Sequence, residues 1–248
     1  MDYYLSSDLV EPADADRHYS EKLVRLPIGV FYFERPDLPT TFKLRSELGL
    51  PEGGHIYLCP MALQKIHPDF DEAIARILQL DTNGYVVLFQ DAKHSAWKGL
   101  LAKRFEQTIP ENVRNRILFL PWVNNYFDFI SINEVSDVVL DLFHFGIGST
   151  AIATCSVGTP IVTRLGEFLR GRTGLLYCKL LDVMECVAVD TEDYARKVVA
   201  IATDQSLRER IKSKILANNH DLFENPQPIK DMADFFLNLG GGALSILR

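Results

Sequence analysis

From residue 54 onward, short continuous apolar runs alternate with segments of helical period. The runs at residues 56–59, 85–89, 117–120, 138–140, 161–163 and 186–189 are too short for helices and show no polar alternation. Each predicts a strand buried on both faces, as in a parallel sheet. The segments between them predict helices at 68–80, 96–105, 125–133, 151–156 and 168–181. In the first of these, Phe70, Ile74, Ile77 and Leu78 recur at helical spacing. Three further helices follow at 191–202, 205–218 and 226–239. The first of the three opens on Thr191-Glu192-Asp193, acidic residues suited to a first turn. Alternation of this kind predicts an α/β fold, a doubly wound Rossmann-like parallel sheet followed by C-terminal helices.

The first forty residues read differently. Short strand and turn segments at 3–5, 22–27 and 30–33 lead into residues 34–40, where two prolines mark a linker. A short helix is predicted over 42–48, stopped by Gly49 and Pro51. The expected division is therefore residues 1–40 as a leading segment too small to fold alone, 41–239 as the Rossmann-like domain, and 240–248 as a flexible glycine-led tail.

Ligands of such sheets bind at the carboxyl ends of the strands. The loops there are residues 60–67, 90–95, 121–125, 142–150 and 164–172. The most informative is Leu142-Phe143-His144-Phe145-Gly146-Ile147-Gly148-Ser149-Thr150, between a predicted strand and a run of small residues predicted as a helix. A glycine-rich turn of this kind presents unpaired N–H groups and the positive end of the helix dipole to an anion, most often a phosphate. A tight turn without a ligand is the plainer alternative.

Composition narrows the classes. The chain of 248 residues is 47% hydrophobic and 24% charged, ordinary for a globular protein. A net charge of −7 and a pI near 5.4 imply no basic surface for nucleic acid. No apolar run approaches the ~18 residues of a membrane span, and Met1 to Leu5 lacks the features of a signal peptide. Cys59, Cys155, Cys178 and Cys186 show no C-x-x-C spacing, and Cys59 and Cys155 read as buried thiols, so a reducing, cytoplasmic setting is expected. His18, His55, His94 and His220 form no cluster with metal spacing. His67-Pro68-Asp69 matches a chaperone tripeptide, but it opens a predicted β–α helix here and that reading is set aside. No metal site is expected.

Four phrases in order carry a resemblance. They are Asp2-Tyr3-Tyr4-Leu5-Ser6-Ser7-Asp8 with Tyr19-Ser20-Glu21-Lys22-Leu23; Cys59-Pro60-Met61-Ala62-Leu63-Gln64-Lys65-Ile66-His67-Pro68; Asp141 to Thr150 followed by Gly158-Thr159-Pro160-Ile161-Val162-Thr163; and Gly166-Glu167-Phe168-Leu169-Arg170-Gly171-Arg172. Together they resemble the C-terminal catalytic lobe of the O-GlcNAc transferase and SPINDLY-type protein glycosyltransferases. The resemblance runs from residue 2 to about 239. It implies a GT-B architecture and a nucleotide-sugar donor, UDP-linked, bound as a substrate with no cofactor. It implies metal-independent inverting transfer of the sugar to Ser or Thr of a protein acceptor. It further implies that residues 1–33 are the last pieces of a first lobe that supplies much of the acceptor site. The repeats usual in that family are not seen, since no self-similarity at a period of about 34 residues is present.

Carried onto this chain, the resemblance makes Lys65 the catalytic cation that neutralises charge growing on the leaving diphosphate. From its residue type alone it is a solvated surface lysine. Gly148, Ser149 and Thr150 would cradle the diphosphate, and either hydroxyl could instead be a helix cap. Pro121 and Trp122 would meet the base through main-chain groups and stacking, unless Trp122 is a rim or core residue. His144 would contact the sugar, or serve as a structural histidine. Ala153 stands where the family commonly has an acidic residue for the ribose, and Glu167, on the neighbouring loop, is the expected substitute. Arg170 and Arg172 suit a diphosphate, with only one of the two able to face the cleft, or form surface salt bridges. The rival readings are a non-catalytic nucleotide-sugar-binding or interaction module, a transferase acting on lipid or glycan, and a nucleotide-sugar epimerase.

Overall fold

The computed structural model describes residues 1–90 and 95–240. Two strands, β1 (Tyr3–Ser7) and β2 (Lys22–Leu26), pair in parallel as a separate small sheet. The main sheet comprises β3 (His55–Ala62), β4 (Gly84–Gln90), β5 (Ile117–Pro121), β6 (Val138–Leu140), β7 (Ile161–Arg164) and β8 (Val187–Ala188). All its pairings are parallel and the order is β5-β4-β3-β6-β7-β8. The chain starts in the middle at β3, winds outward to β5, then returns to β6 on the other side. The predicted doubly wound α/β sheet is therefore present, with its switch point between β3 and β6.

Helices cover the sheet: α1 (Asp69–Leu80), α2 (Ser95–Thr108), α3 (Glu111–Arg114), α4 (Tyr126–Val135), α5 (Thr150–Val157), α6 (Thr173–Leu180), α7 (Thr191–Thr203), α8 (Gln205–Asn218) and α9 (Gln227–Gly240). The apolar stripe of α1, Phe70, Ala73, Ile74, Ile77 and Leu78, is buried in the core with Ile56, Leu58, Val86, Val87 and Leu88 of the central strands. Asn125 caps α4 by accepting from the N–H groups of Phe127 and Asp128. Gly158 closes α5 in the left-handed region at φ +79°, which glycine adopts without strain. All four cysteines are buried and free, as read for Cys59 and Cys155.

The differences from expectation lie mostly outside the repeating core. The predicted helix at 42–48 is a single 3₁₀ turn, Ser46–Leu48, because Gly49 (φ +71°) ends it after one turn. Residues 30–33 form no strand and contribute only one bridge, Phe33 to Phe223. The predicted helix at 168–181 is a 3₁₀ turn, Leu169–Gly171, followed by α6; Gly171 lies against the Phe143 carbonyl, where no side chain fits. The short α3 has too few turns to show a period and was not foreseen. Residues 91–94 of the predicted loop 90–95, His94 included, and residues 241–248 of the predicted tail lie outside the described residues. Among the described residues no helix is long and apolar enough to cross a membrane.

Candidate functional site

Two loops meet at the switch point, one leaving β3 and one leaving β6. The second is anchored by Asp141, which has no exposed surface. Its carboxylate accepts from Thr163 Oγ1 at 2.7 Å and from the Ile147 N–H, while its backbone carbonyl accepts from the Tyr194 hydroxyl at 3.0 Å. Burial pushes this acid up to about 6, against the opposing pull of those hydrogen bonds. A Cβ on Gly174 would collide with the Asp141 carboxylate and with Thr163, and one on Gly146 would collide with Thr173 and press on the same carboxylate. The glycines are thus required for packing around a buried acid.

With the loop held this way, Phe143 points inward between Phe70 and Tyr194, at ring-centroid distances of 5.1 Å from each. His144 and Phe145 point outward and are exposed. The Arg164 guanidinium lies 3.8 Å from the Phe143 ring centroid and donates to Thr191 Oγ1. Gly148 follows, its carbonyl accepting from the Tyr177 hydroxyl at 2.9 Å, and α5 begins. Ser149 holds the cap position with no side-chain cap bond, so its hydroxyl is not spent on the helix. The Ala151 and Ile152 N–H groups donate to the Gly148 and Ser149 carbonyls, at 2.9 and 3.1 Å, which leaves the N–H groups of Ser149 and Thr150 at the helix start for a ligand.

The loop leaving β3 is set by a register irregularity between Cys59 and Ala62, then by a 3₁₀ turn, Leu63–Lys65. Bulges next to a site re-aim the chain. Lys65 is half-buried, and its Nζ lies 4.2 Å from the Phe145 ring centroid, so the two loops touch here. Among the described residues Lys65 forms no ion pair. Two and four residues further on, His67 and Asp69 meet His144: Asp69 Oδ2 lies 2.7 Å from His144 Nε2, and Asp69 Oδ1 lies 3.3 Å from His67 Nδ1. The hydrogen bond from His144 holds the Asp69 carboxyl below its ordinary range.

Two cavities flank the start of α5. One, of about 270 Å³, is lined by Pro60, Phe89, Trp122, Tyr126, Ser149, Thr150 and Ala153 among others. Trp122 is half-exposed there and stands edge-on to Phe89 at 6.3 Å. Pro121 ends β5 beside it, and the Trp122 N–H donates to the Gln90 carbonyl. The other cavity, of about 510 Å³, is largely apolar and lies between the small leading sheet and α6, with Phe145, Gly148, Phe168 and Arg170 on its wall.

The structure thus brings Trp122, Ser149 and Thr150 into one cavity, and puts Gly148 and Arg170 on the other. Lys65, Pro121 and His144 line neither cavity, and two further expected donor residues turn to the leading segment. Arg172 is half-buried and donates from Nε and Nη1 to the carbonyls of Val10 and Gly166, at 2.6 and 3.0 Å, which turns its guanidinium to the leading segment and ties that segment down. Burial lowers its pKa. Only Arg170 of the pair reaches a cavity. Glu167 faces the leading segment too, 3.7 Å from Arg17 and 4.0 Å from His18, and does not line the cavity that holds Ala153. It is drawn there by opposite charge, and nothing replaces the acid missing at Ala153 among that cavity's lining residues. Asp141 and the meeting of His67 with His144 were not foreseen. Their partners are far apart in sequence, and only the isolated aspartate at a strand end gave a signal for the first.

Residues 33–232 match the family model described as glycosyl transferase family 41. The chain belongs to that family. A Eustoma exaltatum protein named "Probable UDP-N-acetylglucosamine--peptide N-acetylglucosaminyltransferase SPINDLY" is 23% identical over 235 residues, 94% of this chain and 25% of that protein. The Arabidopsis thaliana protein of the same enzyme name, SEC, is 24% identical over 94% of this chain and 24% of its own length. The family 41 chain therefore spans about a quarter of the length of these curated relatives. Among solved structures, a mutant Thermobaculum terrenum O-GlcNAc transferase superposes with a TM-score of 0.82 at 21% identity, over 100% of this chain and 46% of that one. A sucrose-phosphate synthase of Thermosynechococcus elongatus gives 0.62 at 14% identity, over 96% of this chain and 58% of its own. At these identities the two structures establish the fold, the α/β lobe of GT-B glycosyltransferases.

Proposed function

We propose that this chain is the nucleotide-sugar-binding lobe of a glycosyltransferase that takes N-acetylglucosamine from a UDP-linked donor and gives it to Ser or Thr of a protein. The observation that carries this reading is the cavity at the switch point, with a helix start on one wall and a half-exposed tryptophan on the other. The base stacks on Trp122, with main-chain groups near Pro121 at its edge. The diphosphate lies on the first turn of α5, at Gly148, Ser149 and Thr150, where free N–H groups and the dipole favour negative charge. Lys65 supplies the cation and Arg170 stands on the sugar side, while His144, bonded to Asp69, lies outside the donor cavity.

In the reaction an acceptor hydroxyl oxygen bonds to the sugar C1 from the face opposite the diphosphate. The C1–oxygen bond breaks, UDP leaves with the electron pair, and the hydroxyl proton goes to a base outside the groups assigned here. Lys65 and the α5 start stabilise charge that grows only as that bond breaks, which is why they accelerate the step without a metal. The acceptor is held by a partner lobe on the far side of the cleft, and the protein works in the reducing cytoplasm, where four buried thiols stay free. A second reading is favoured by Ala153: a binding module without turnover, since no carboxylate there holds the ribose.

Titration calorimetry with UDP, GDP, UDP-GlcNAc, UDP-glucose and GDP-fucose tests the proposal. Uridine nucleotides should bind and guanosine nucleotides should not. Lys65→Ala should weaken UDP by about 1.5–3 kcal/mol, roughly ten- to hundredfold. Equal affinity in wild type and variant, or no nucleotide binding at all, would overturn it. Transfer to peptide acceptors, assayed with a supplied first lobe, separates enzyme from module.

A further inference from the structure

His67, Asp69 and His144 leave the two switch-point loops and converge outside the proposed donor cavity. Each offers one donor atom, and these atoms all lie within 4.8 Å of one another. The His67 and His144 rings are 4.2 Å apart at 60°. The three side chains are 50%, 53% and 45% exposed, so the cluster opens to solvent. We propose that this cluster binds one divalent transition-metal ion of borderline softness, of which zinc is the type.

Three physical points support the assignment. The first is the donor set: two imidazoles and one carboxylate, a combination that holds zinc with open positions left for water. Magnesium and calcium prefer all-oxygen sets and are poor matches. The second is geometry. A tetrahedral ion with bonds of about 2.0–2.2 Å spaces its ligand atoms roughly 3.3–3.5 Å apart. The 2.7 and 3.3 Å separations around Asp69 lie just below and at the lower end of that spacing, and all the donor atoms lie within 4.8 Å, so exposed side chains need only small rotations to close on an ion. The third is preorganisation. Asp69 begins α1 on fixed backbone, and His144 sits on the loop that buried Asp141 holds. The ordering of both loops comes from the fold rather than from the ion. Binding replaces the His144–Asp69 hydrogen bond with two metal–ligand bonds, the neutral imidazole then carrying its one proton on Nδ1.

Competing ligands are few. The four thiols are buried, and among the described residues no other group of three His, Cys, Asp or Glu has this spacing.

The test is titration of Zn²⁺ and Co²⁺ into the untagged chain with no nucleotide present, read by calorimetry and by the visible absorption of bound Co²⁺. One equivalent should bind at micromolar Kd, with no heat from Mg²⁺. His67→Ala and His144→Ala should each weaken binding at least tenfold, with the far-ultraviolet circular dichroism unchanged because all three side chains are exposed. His220→Ala, exposed and outside the cluster, should change nothing. Absence of Zn²⁺ and Co²⁺ binding by the wild type, or equal binding by a variant lacking both His67 and His144, would overturn the proposal. Because nucleotide is absent, neither result depends on the donor-site reading.

Discussion

Two aspartates stand at the switch point, Asp141 at the start of the loop after β6 and Asp69 at the start of α1, and their surroundings are opposite. Asp141 is wholly buried, bonded to Thr163 and to the Ile147 backbone, and its acidity is weakened to a pKa of about 6. Asp69 is half-exposed, faces two histidines, and is a stronger acid than an ordinary aspartate. The first spends its oxygens on shaping the glycine loop. The second leaves its oxygens within reach of solvent and ligands. The contrast teaches that in this family 41 lobe the geometry of the site is built from inside, and its chemistry is presented outside.

The sharpest way to break the contrast is to remove each carboxylate. Asp141→Ala leaves a buried hydroxyl and buried N–H groups without an acceptor, and should cost about 2–4 kcal/mol of unfolding free energy. Asp69→Ala should stay within about 0.5 kcal/mol, as exposed ion pairs contribute little. Guanidinium denaturation of both variants measures this; equal losses would show that the two loops are not built differently.

A pH dependence follows from the buried acid. Its folded pKa is raised from 3.8 to about 6, so the fold holds the proton more tightly than the unfolded chain. Its contribution to stability is full below pH 3.8 and is lost as the pH rises through about 6. Asp141→Asn carries no such proton. The wild type should therefore lose stability relative to this variant between about pH 4 and about pH 6.5. Parallel stability curves over that range would remove the buried-acid account.

The smallest effects concern ligand affinity at the edges of the site. Trp122→Ala should weaken UDP by about 1–3 kcal/mol, the range for stacking of a base on an aromatic ring. Glu167→Ala should leave UDP affinity unchanged within about 0.3 kcal/mol, because its partners are Arg17 and His18. A loss on removing Glu167 comparable to that for Trp122 would put the acid back in the donor site.

Much of this was legible in the chain. Each main-sheet strand is a short apolar run, because a parallel strand is buried on both faces and needs no partner elsewhere to declare itself. The helices α1, α7, α8 and α9 matched their predicted positions to within a residue or so, since their spacing and end signals are local. The glycine loop and Lys65 could likewise be found by their place after a strand. What the sequence could not say was where long side chains turn. Arg172 and Glu167 follow the same loop as Arg170, yet their partners, Val10, Arg17 and His18, come from the leading segment some 150 residues away (Arg172 to Val10 spans 162). The meeting of His67 and Asp69 with His144 has the same origin, a separation of 75 residues closed by the pairing of β3 with β6. Local periodicity sets elements because backbone hydrogen bonds and burial act over a few residues. Charge pairing and donor convergence depend on which strand lies beside which, and only the tertiary structure decided that.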